Sequence, residues 1–260
     1  MTISSVAGAG MRLFVVVPCH NEVRGIAATL GALMAQSDRD FELVVVDNAS
    51  DDGSRSAVES CLFTHGALPW HCIDEPQKGT GSAADTGFRY AIASGATHIA
   101  RTDADCLPRA DWIVNLKRAF AEGAEFIAGA VHFRSDDCDI GWLRSAALAS
   151  IGAAMGAIAP FLPHNRDAGY KVRYVMASGG NLATSAELYV ASGGFPRIRL
   201  EDDNEDRLLM NRARRITANI RRDGRVVVAQ SARRVVHYGI RNTILWYWER
   251  RYRPRHVDVR

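Results

Sequence analysis

The stretch Leu13-Phe14-Val15-Val16-Val17-Pro18 decides the fold class of this chain. Five consecutive apolar residues, three of them β-branched, are typical of a strand that is buried on both faces, as in a parallel sheet. We therefore predict a first strand over residues 11–17 that ends at Pro18. A run of the same kind covers residues 41–46 and ends at Asp47, and a third strand is predicted over residues 70–74.

Helical segments are predicted between these strands. Asn21 and Glu22 open a helix that runs to residue 34, the polar turn at residues 48–54 leads into another, and residues 79–93 form a third before a strand at residues 97–102. Strand and helix alternating at this spacing predict βαβ units, so we expect a single α/β domain with a mostly parallel nucleotide-binding sheet and helices on both faces. The second half is less regular, with strands expected at 126–133, 172–176 and 225–230 and helices at 140–162 and 205–215.

Composition limits the class of protein. With 260 residues, of which 47% are hydrophobic and 23% charged, the chain can bury a full core. Five scattered cysteines without a C-x-x-C pair indicate free thiols in a reducing compartment, and hence the cytoplasm. We expect a flexible leader at residues 1–10, one folded domain at residues 11–239 and a basic, aromatic tail at residues 240–260.

Positive charge is concentrated late in the chain. From Arg197 onward there are 17 arginines and no lysine against 8 acidic residues, a surplus of nine positive charges. Such a surplus favours contact with phosphates, although a solvated helix face has the same composition. In the tail, Trp246-Tyr247-Trp248 and the arginines after it favour peripheral contact with the inner face of a membrane; a packed amphipathic helix and an oligomer contact are the alternatives. Since no recognition motif accompanies the arginines, no nucleic-acid partner is expected.

Polar residues follow three of the predicted strands, namely Asn21, Asp47 and Asp103. In open α/β sheets, ligands bind in the crevice at the carboxyl ends of the strands. Asp103-Ala104-Asp105 places two carboxylates at that edge, where they can hold a divalent ion that bridges a diphosphate. The alternative is a solvated acidic turn, and the surrounding motifs favour the ion site.

Several motifs occur in a characteristic order. They are Val15-Val16-Val17-Pro18-Cys19-His20-Asn21-Glu22, Val45-Val46-Asp47-Asn48-Ala49-Ser50-Asp51-Asp52-Gly53-Ser54, Asp103-Ala104-Asp105, Gly193-Gly194-Phe195 and an acidic pair that begins the next helix. In this order they resemble the family-2-type nucleotide-sugar glycosyltransferases with the GT-A fold, over nearly the whole of residues 11–238. The resemblance implies a donor-nucleotide half at residues 11–110 and an acceptor half at residues 111–239.

The resemblance implies a donor site in the first half. Asp47 suits a carboxylate that accepts a hydrogen bond from a base N–H, although it would equally cap the turn that follows. The chain departs from the family pattern at Ala84-Asp85-Thr86-Gly87, where Arg-Asn-x-Gly is frequent, so Arg101 or Lys78 would have to supply the missing phosphate or sugar contact. The implied donor-binding residues are Pro18, Asn21, Glu22, Asp47, Lys78, Gly79 and Asp103.

The resemblance also implies a metal ion. Asp105, together with Asp103, is the expected ligand pair for Mg²⁺ or Mn²⁺, hard ions that complete their shell with phosphate oxygens and water. The ion would act as a Lewis acid on the leaving nucleoside diphosphate. His237 is a candidate for a further ligand, against the more ordinary structural role of a lone histidine.

Inverting sugar transfer needs a carboxylate base for the acceptor hydroxyl. Asp206, in the pair Glu205-Asp206, best matches the family's base because Leu209 and Arg212 follow at the expected intervals; Asp202 is the alternative. The other acids of this cluster are explained by favourable interaction with a helix N-terminus. On the acceptor side, the resemblance implies Gly179, Gly180, Asn181 and Glu205.

These features predict an inverting, metal-dependent glycosyltransferase that moves a sugar from a nucleoside diphosphate to a hydroxyl of a sugar, a lipid-linked molecule or a small molecule. A role in cell-surface polysaccharide or glycolipid synthesis would follow. The alternative is a non-catalytic module of the same fold that binds a nucleotide sugar or a partner. A nucleotidyltransferase and a Rossmann dehydrogenase are disfavoured, because neither a Gly-rich, Arg-containing loop nor a G-x-G-x-x-G motif follows the first strand.

Overall fold

The apolar run at the start of the chain forms the middle of a sheet. The computed structural model describes residues 10–65, 68–134, 136, 137, 141–198, 204–233, 236, 237 and 239. Strand β1 (Leu13–Cys19) is buried at every position and lies between β2 (Glu42–Asp47) and β4 (His98–Arg101), with β3 (Trp70–Asp74) beyond β2. These four strands are parallel, as their apolar runs predict.

Helices connect the parallel strands. Helix α1 (Ile26–Met34) follows β1, α2 (Ser54–His65) follows β2, and α3 (Thr80–Ala93) follows β3. Helix α1 begins later than predicted, because the Glu22 carbonyl oxygen first accepts hydrogen bonds from the amides of Gly25 and Ile26 and closes a turn. The βαβ units expected from the sequence are therefore present.

The second half of the chain adds antiparallel strands to the same sheet. Strand β5 (Cys106–Pro108) follows β4 along the chain, and β6 (Phe126–Phe133), β7 (Leu182–Ser185) and β8 (Ile220–Gln230) come later. Strand β7 pairs antiparallel with β4 and β6, β8 runs parallel to β6, and β5 pairs antiparallel with β8. The strand order is β3-β2-β1-β4-β7-β6-β8-β5, so β4 and β7 join the two halves.

The described residues of this half contain four further helices: α4 (Trp112–Ala121), α5 (Gly141–Ile158), α6 (Ala186–Ala191) and α7 (Glu205–Ile216). Helix α5 falls within the helix predicted at residues 140–162 and continues into a short 3₁₀ turn, Ala159–Phe161. In the part of the chain that the structure describes, no helix is both long and apolar enough to cross a membrane.

The sheet separates two apolar cores. Leu13, Val15 and Val17 face one side, where they pack with apolar residues of α1, α2 and α4. Phe14 and Val16 face the other side, where they pack with α3, α6 and α7. Side chains of successive strand residues point to opposite faces, so a continuous apolar run supplies both cores at once. This confirms the expected α/β fold with helices on both faces.

The strand predicted at residues 172–176 is wrong. This segment is irregular, and the strand of this region is β7, a few residues later. The Val172 carbonyl oxygen accepts hydrogen bonds from the buried Arg214 guanidinium at 2.8 and 3.0 Å, and Tyr174 packs near the same group. The Arg214 side chain therefore satisfies a backbone carbonyl oxygen that a strand would have paired with a neighbouring strand.

Cys19, Cys61, Cys72 and Cys106 are free thiols, as predicted. Burial raises the pKa of Cys72 to about 11 and that of Cys19 to about 12, so both stay protonated and unreactive at neutral pH. The leader at residues 1–9, the tail at residues 240–260, Cys138 and the acidic residues 201–203 lie outside the described residues. The interpretations of those segments stay predictions.

Candidate active site

A cleft opens at the carboxyl ends of β1, β2 and β4, where the sequence places its polar residues. Pro18, Glu22, Asp103 and Asp105, which are four of the predicted site residues, meet there. The cleft lies at the edge of a parallel sheet where open α/β proteins bind ligands. Its full lining is Pro18, Cys19, His20, Glu22, Asn48, Thr80, Ala83, Asp103, Ala104, Asp105 and Gln230.

Asp103 and Asp105 stand directly after β4 and both keep exposed surface in the cleft. The Asp103 carbonyl oxygen accepts a hydrogen bond from the Cys106 amide at 3.0 Å, which closes a turn around the pair. The Asp105 carbonyl oxygen accepts from the Ser231 amide at 3.1 Å, so the end of β8 holds the turn from the other side. The backbone of the pair is fixed while the two carboxylates remain accessible.

Asp47, at the end of β2, has an oxygen without a protein partner. Its side chain is 8% exposed. Oδ2 accepts a long hydrogen bond of 3.4 Å from the Ser50 amide, whereas no described residue donates to the buried Oδ1. A buried carboxylate oxygen without a donor is costly, so a ligand N–H at this position would be favourable.

Asn48 ties the loop after β2 to the start of α3. Its Nδ2 donates to the carbonyl oxygens of Glu75 and Gln77 at 2.8 Å, and its Oδ1 accepts from the Gly79 amide at 2.8 Å. The backbone of Gly79 has a φ of 144°, which favours glycine. Lys78, beside it, is exposed. Asn48 thus holds the predicted Lys78–Gly79 loop in place.

The first turn of α3 faces the cleft through Thr80 and Ala83. The amides of a first helical turn have no partner within the helix, so they and the helix dipole attract anions. Gly81, in the same turn, approaches the Pro196 carbonyl oxygen so closely that a Cβ would collide with it. The helix start therefore provides an anion-binding edge for the cleft, and its approach to the neighbouring loop requires glycine.

Asn21 joins two loops and is not among the residues that line the cleft, although its neighbours His20 and Glu22 are. Its backbone has a φ of 51°. Its side-chain Nδ2 donates to the Asp51 carboxylate at 2.9 Å, and its Oδ1 accepts a hydrogen bond from the Asp51 backbone amide at 3.0 Å. The donor-binding role implied for Asn21 stays a prediction. What the structure shows is that Asn21 positions the loop after β1 against the loop after β2.

Arg101, on β4, is a buried cation at the centre of the site, with a side chain only 1% exposed. It donates to Asp103 Oδ1 through Nε and to Glu205 Oε1 through Nη1, both at 3.0 Å, and its guanidinium lies 5.3 Å from the Phe195 ring centroid. Burial alone would lower the pKa of Arg101, but the two carboxylates outweigh burial and raise the pKa. Arg101 therefore stays charged.

Asp206, the predicted base, lies in the first turn of α7. Its carboxylate accepts hydrogen bonds from the Gly179 amide at 3.0 Å and the Arg207 amide at 2.6 Å. Burial and repulsion from Glu205 raise the pKa of Asp206 to about 7, while the Arg101 charge acts in the opposite direction. A carboxyl group with a pKa near neutrality is suited to accept and release a proton at physiological pH. Asp202, the alternative base, lies outside the described residues.

The loop Gly179-Gly180-Asn181 separates Asp206 from Asp103. Gly179 packs against the Arg101 guanidinium, and a Cβ on Gly180 would lie 3.4 Å from Asp103 Oδ2. The Asn181 side chain is fully buried: Oδ1 accepts a hydrogen bond from Trp112 Nε1 at 2.9 Å, and Nδ2 donates to the carbonyl oxygens of Ala130 and Val226. The acceptor-side role implied for Asn181 stays a prediction. Asn181 anchors the loop, and the two glycines allow its close approach to the acids.

The segment at residues 84–87, where the chain departs from the family pattern, packs against its surroundings. Asp85 is buried and accepts a hydrogen bond from the Tyr189 hydroxyl at 2.8 Å. Arg197 reaches in from the loop after Phe195 and donates to Thr86 at 3.0 Å and to Glu75 at 2.7 Å. Arg101 and Lys78 were expected to supply the phosphate or sugar contact that the family's arginine makes. Arg101 is enclosed by protein, whereas Lys78 is exposed.

The cleft offers oxygen donors for a metal ion. Among the residues described, no group of three or more His, Cys, Asp and Glu side chains is arranged to hold a metal ion by itself. His237 is exposed and stays only a predicted ligand. Asp103 and Asp105 supply hard oxygen donors that face the cleft, and Mg²⁺ or Mn²⁺ commonly binds through one or two carboxylates plus substrate phosphates. This donor pair fits such an ion when a diphosphate is bound.

Several residues of the cleft were not predicted. His20 Nδ1 lies 2.7 Å from the Asn48 carbonyl oxygen, and Arg233 forms an ion pair with Glu22 at 2.7 Å. His20 and Asn48 lie inside the quoted motifs next to predicted residues, so their position in the sequence could have identified them. Gln230 and Arg233 come from the end of β8, far away in the sequence, and carry no local signal.

A parallel half-sheet with an Asp-x-Asp pair at its edge, continued by antiparallel strands and an acidic helix start, defines the GT-A class of glycosyltransferase folds. The family model "Glycosyl transferase family 2" matches residues 14–180, and the chain therefore belongs to that family.

Similar proteins agree with this assignment. Glycosyltransferase AglE of Haloferax volcanii is 30% identical over 122 residues, 46% of this chain and 39% of that protein. Undecaprenyl-phosphate mannosyltransferase of Micrococcus luteus is 29% identical over 96 residues, 36% of this chain and 38% of that protein. The solved structure of mannosyltransferase PcManGT from Pyrobaculum calidifontis, in complex with GDP-Man and Mn²⁺, superposes with a TM-score of 0.67 at 23% identity, covering 91% of this chain and 61% of that one. Each match spans less than two thirds of the other protein.

Proposed function

We propose that this chain transfers a sugar, with inversion, from a nucleoside diphosphate donor to an acceptor hydroxyl, with a divalent metal ion. The observation that carries the proposal is the meeting of Asp103, Asp105 and the first turn of α3 in one cleft. Two carboxylates repel a diphosphate unless a cation lies between them, whereas helix amides attract it directly. The combination suits a metal-bound diphosphate better than it suits either partner alone.

The donor base would lie at the end of β2. Asp47 offers a buried oxygen without a donor, which matches the N–H of a base such as uracil or guanine. The PcManGT structure contains GDP-Man, which supports a guanine donor as a candidate beside the uracil donor that the Asp47 carboxylate suits. Asn48 positions Gly79 and the start of α3, where the diphosphate would accept hydrogen bonds from backbone amides.

The leaving group and the acceptor would be handled by different residues. Asp105, with Asp103, would hold Mg²⁺ or Mn²⁺, which supplies Lewis-acid stabilisation of the departing diphosphate when bound. Asp206 would accept the proton of the acceptor hydroxyl, because its pKa near 7 makes it a competent base at neutral pH. Glu205 would contribute to the acceptor side next to it.

A donor screen tests the proposal. Thermal unfolding is measured with UDP-, GDP- and dTDP-sugars, with and without Mn²⁺, and donor hydrolysis is then followed for any donor that stabilises the protein. We expect one donor to raise the unfolding temperature only when Mn²⁺ is present, since a ligand that binds only the folded state stabilises it. If no donor gives a metal-dependent rise, the proposal fails.

The same screen separates the enzyme from a non-catalytic module. Metal-dependent stabilisation without donor hydrolysis or transfer would favour a nucleotide-sugar-binding module. Asp47→Ala is the matched variant for the base site. It should weaken donor binding without abolishing metal binding, because the proposal assigns Asp47 to the donor base and Asp103 with Asp105 to the metal ion.

The acceptor and the location of the enzyme are further parts of the proposal. One relative carries undecaprenyl-phosphate in its name, which supports including lipid-linked acceptors beside sugars and small molecules. We propose action in the cytoplasm, with the tail at residues 240–260 contacting the inner face of the membrane. Sedimentation with anionic liposomes tests this contact. Absence of salt-sensitive binding in the full chain would contradict it.

A further inference from the structure

Arg101 connects motifs that lie far apart in the sequence. Through one guanidinium it binds Asp103, two residues away, and Glu205, which is 104 residues away on α7. Phe195 lies beneath the same group, and Gly179 packs against it so tightly that a Cβ would lie 2.7 Å from Nη2. Four parts of the site therefore meet at one buried side chain.

Burying this cation is energetically expensive without good partners. Removing a guanidinium from water costs several kcal/mol, and paired carboxylates with well-aligned hydrogen bonds offset the cost. Apolar residues of similar volume would stabilise a protein core as well or better. A buried ion pair that spans two motifs of the active site is thus poorly explained by stability alone.

The planar shape of arginine fits this position. Its nitrogen atoms form a rigid fork, so two carboxylates bound to different nitrogens are held at a fixed separation. Asp103 belongs to the side of the cleft where the leaving diphosphate would bind. Glu205 precedes Asp206, whose carboxylate is held in turn by the Gly179 amide above Arg101. The Arg101 guanidinium therefore lies between the side of the site where the diphosphate would leave and the side where the base would act.

We propose that Arg101 is a positioning residue for sugar transfer, which fixes Asp103 relative to the Glu205–Asp206 pair. The inference rests on the proposed function. Arg101 acts through the acids and contacts neither donor nor acceptor, since its side chain is enclosed by protein. Arg101 therefore does not bind the phosphates; it sets the distance between Asp103, the proposed metal ligand, and Asp206, the proposed base.

Charge supports the same role. Asp206 is faced by Glu205 from its own helix, by Arg101 from β4 and by the Gly179 amide from the loop before β7. Glu205 opposes ionisation of Asp206, whereas Arg101 favours it. Loss of the guanidinium would leave Asp206 beside Glu205 without this compensation.

The test compares Arg101→Gln and Arg101→Lys with wild type. Arg214→Gln is the matched control, because Arg214 is equally buried but binds the carbonyl oxygens of Val172 and Asn165 at the far end of α7. For each folded variant, affinity for a nucleoside diphosphate with Mn²⁺ is measured by calorimetry. The kcat and donor KM of transfer or donor hydrolysis follow, over a range of pH.

We expect Arg101→Gln to bind the metal-bound nucleotide nearly as well as wild type while kcat falls about 100-fold, the loss typical of misplaced catalytic groups. The acid limb of its pH profile should move up by about one unit, as when a nearby opposite charge is lost. Arg101→Lys should restore the position of the acid limb but only part of kcat. Arg214→Gln should lower the unfolding temperature without changing either property.

A double-mutant cycle with Glu205→Gln tests whether Arg101 acts through Glu205. If Arg101 acts through Glu205, the double variant should lose little more kcat than either single variant. Additive losses, a wild-type kcat in Arg101→Gln, or equal effects in Arg214→Gln would overturn the inference. If Arg101→Gln is unfolded, Glu205→Gln and Arg101→Lys must each still lower kcat for the inference to stand.

Failure of the proposed function gives a different result. In that case the wild-type protein neither binds a nucleotide sugar with Mn²⁺ nor hydrolyses one, and the role of Arg101 falls with it. An active wild type with an equally active Arg101→Gln variant overturns only the positioning role.

Discussion

Two neighbouring acids at the start of α7 have different surroundings. Glu205 is buried and paired with Arg101, whereas Asp206 accepts hydrogen bonds from the backbone amides of Gly179 and Arg207 and lies next to the Glu205 charge. For this reason burial and repulsion raise the pKa of Asp206 to about 7. By contrast, the Arg225 guanidinium lowers the pKa of Asp223, another buried aspartate. Partners, rather than residue type, decide which acid can act as a base.

The raised pKa of Asp206 predicts the pH dependence of the reaction. Below pH 7 the carboxyl group holds a proton and cannot accept another, so kcat/KM should rise with pH through about 7 and level off above it. Asp206→Asn should retain metal-dependent donor binding and lose transfer by about 100-fold or more. Rates from pH 5 to 9 check both statements.

Asp223→Asn is the control for this prediction. It removes a carboxylate that is paired with Arg225, outside the cleft, so the acid limb should stay in place. An unchanged profile in Asp206→Asn, with full transfer, would instead direct attention to Asp202.

Helix α3 illustrates how a single element serves packing and binding together. One end provides the anion-binding turn at Thr80, and the middle lies directly on the sheet, where Gly87 touches Val16 of β1 and Val46 of β2. No side chain fits between the helix and these valines. The close approach brings the helix start to the carboxyl ends of the strands.

Substitution of Gly87 should therefore destabilise the protein. Gly87→Ala places a Cβ against both valines, and such overpacking costs about 1–3 kcal/mol of unfolding free energy. Gly31→Ala is the control, because Gly31 is exposed within α1 and a Cβ there meets nothing within 4 Å. That change should gain about 0.5–1 kcal/mol from helix propensity alone. Urea unfolding measures the free energy of unfolding of both variants, which should fall for Gly87→Ala and rise for Gly31→Ala. Equal changes in the two variants would contradict this account.

At the scale of the whole molecule, the second half is held together by more than the pairing of its strands. Asn181, just before β7, uses its side chain to reach α4, β6 and β8 through Trp112, Ala130 and Val226. A fully buried amide with three partners is satisfied only when all these elements are in place. It therefore couples the assembly of the second half to the position of the Gly179–Gly180 loop.

Asn181→Ala should accordingly lower the free energy of unfolding by more than the loss of a side-chain amide usually does. The change leaves Trp112 Nε1 and two carbonyl oxygens buried without their partner, at about 1–3 kcal/mol for each unsatisfied group. Asn115→Ala removes a buried amide that donates to the Arg225 carbonyl oxygen at 3.1 Å and should cost about 1 kcal/mol. Chemical denaturation ranks the two variants, and a smaller loss for Asn181→Ala would refute its coupling role.

The first half of the fold was predictable because its signals are local. Strand β3 has the predicted bounds, and β1, β2 and β4 differ from prediction by only one or two residues at most ends. Continuous apolar runs ended by polar residues specify parallel strands without knowledge of distant partners. The strand predicted at residues 172–176 was wrong: this segment is irregular, and its first carbonyl oxygen, that of Val172, is satisfied by Arg214, which the local pattern cannot show.

The sequence by itself determined the fold class, the family and the acids at the strand ends, since apolar period and motif order are properties of neighbouring residues. Only the tertiary structure decided how those acids differ. It enclosed Asn181, left Asp47 Oδ1 without a protein donor and placed Arg101 between Asp103 and Glu205. The physical reason is that burial and electrostatic pairing depend on groups brought together from distant parts of the chain.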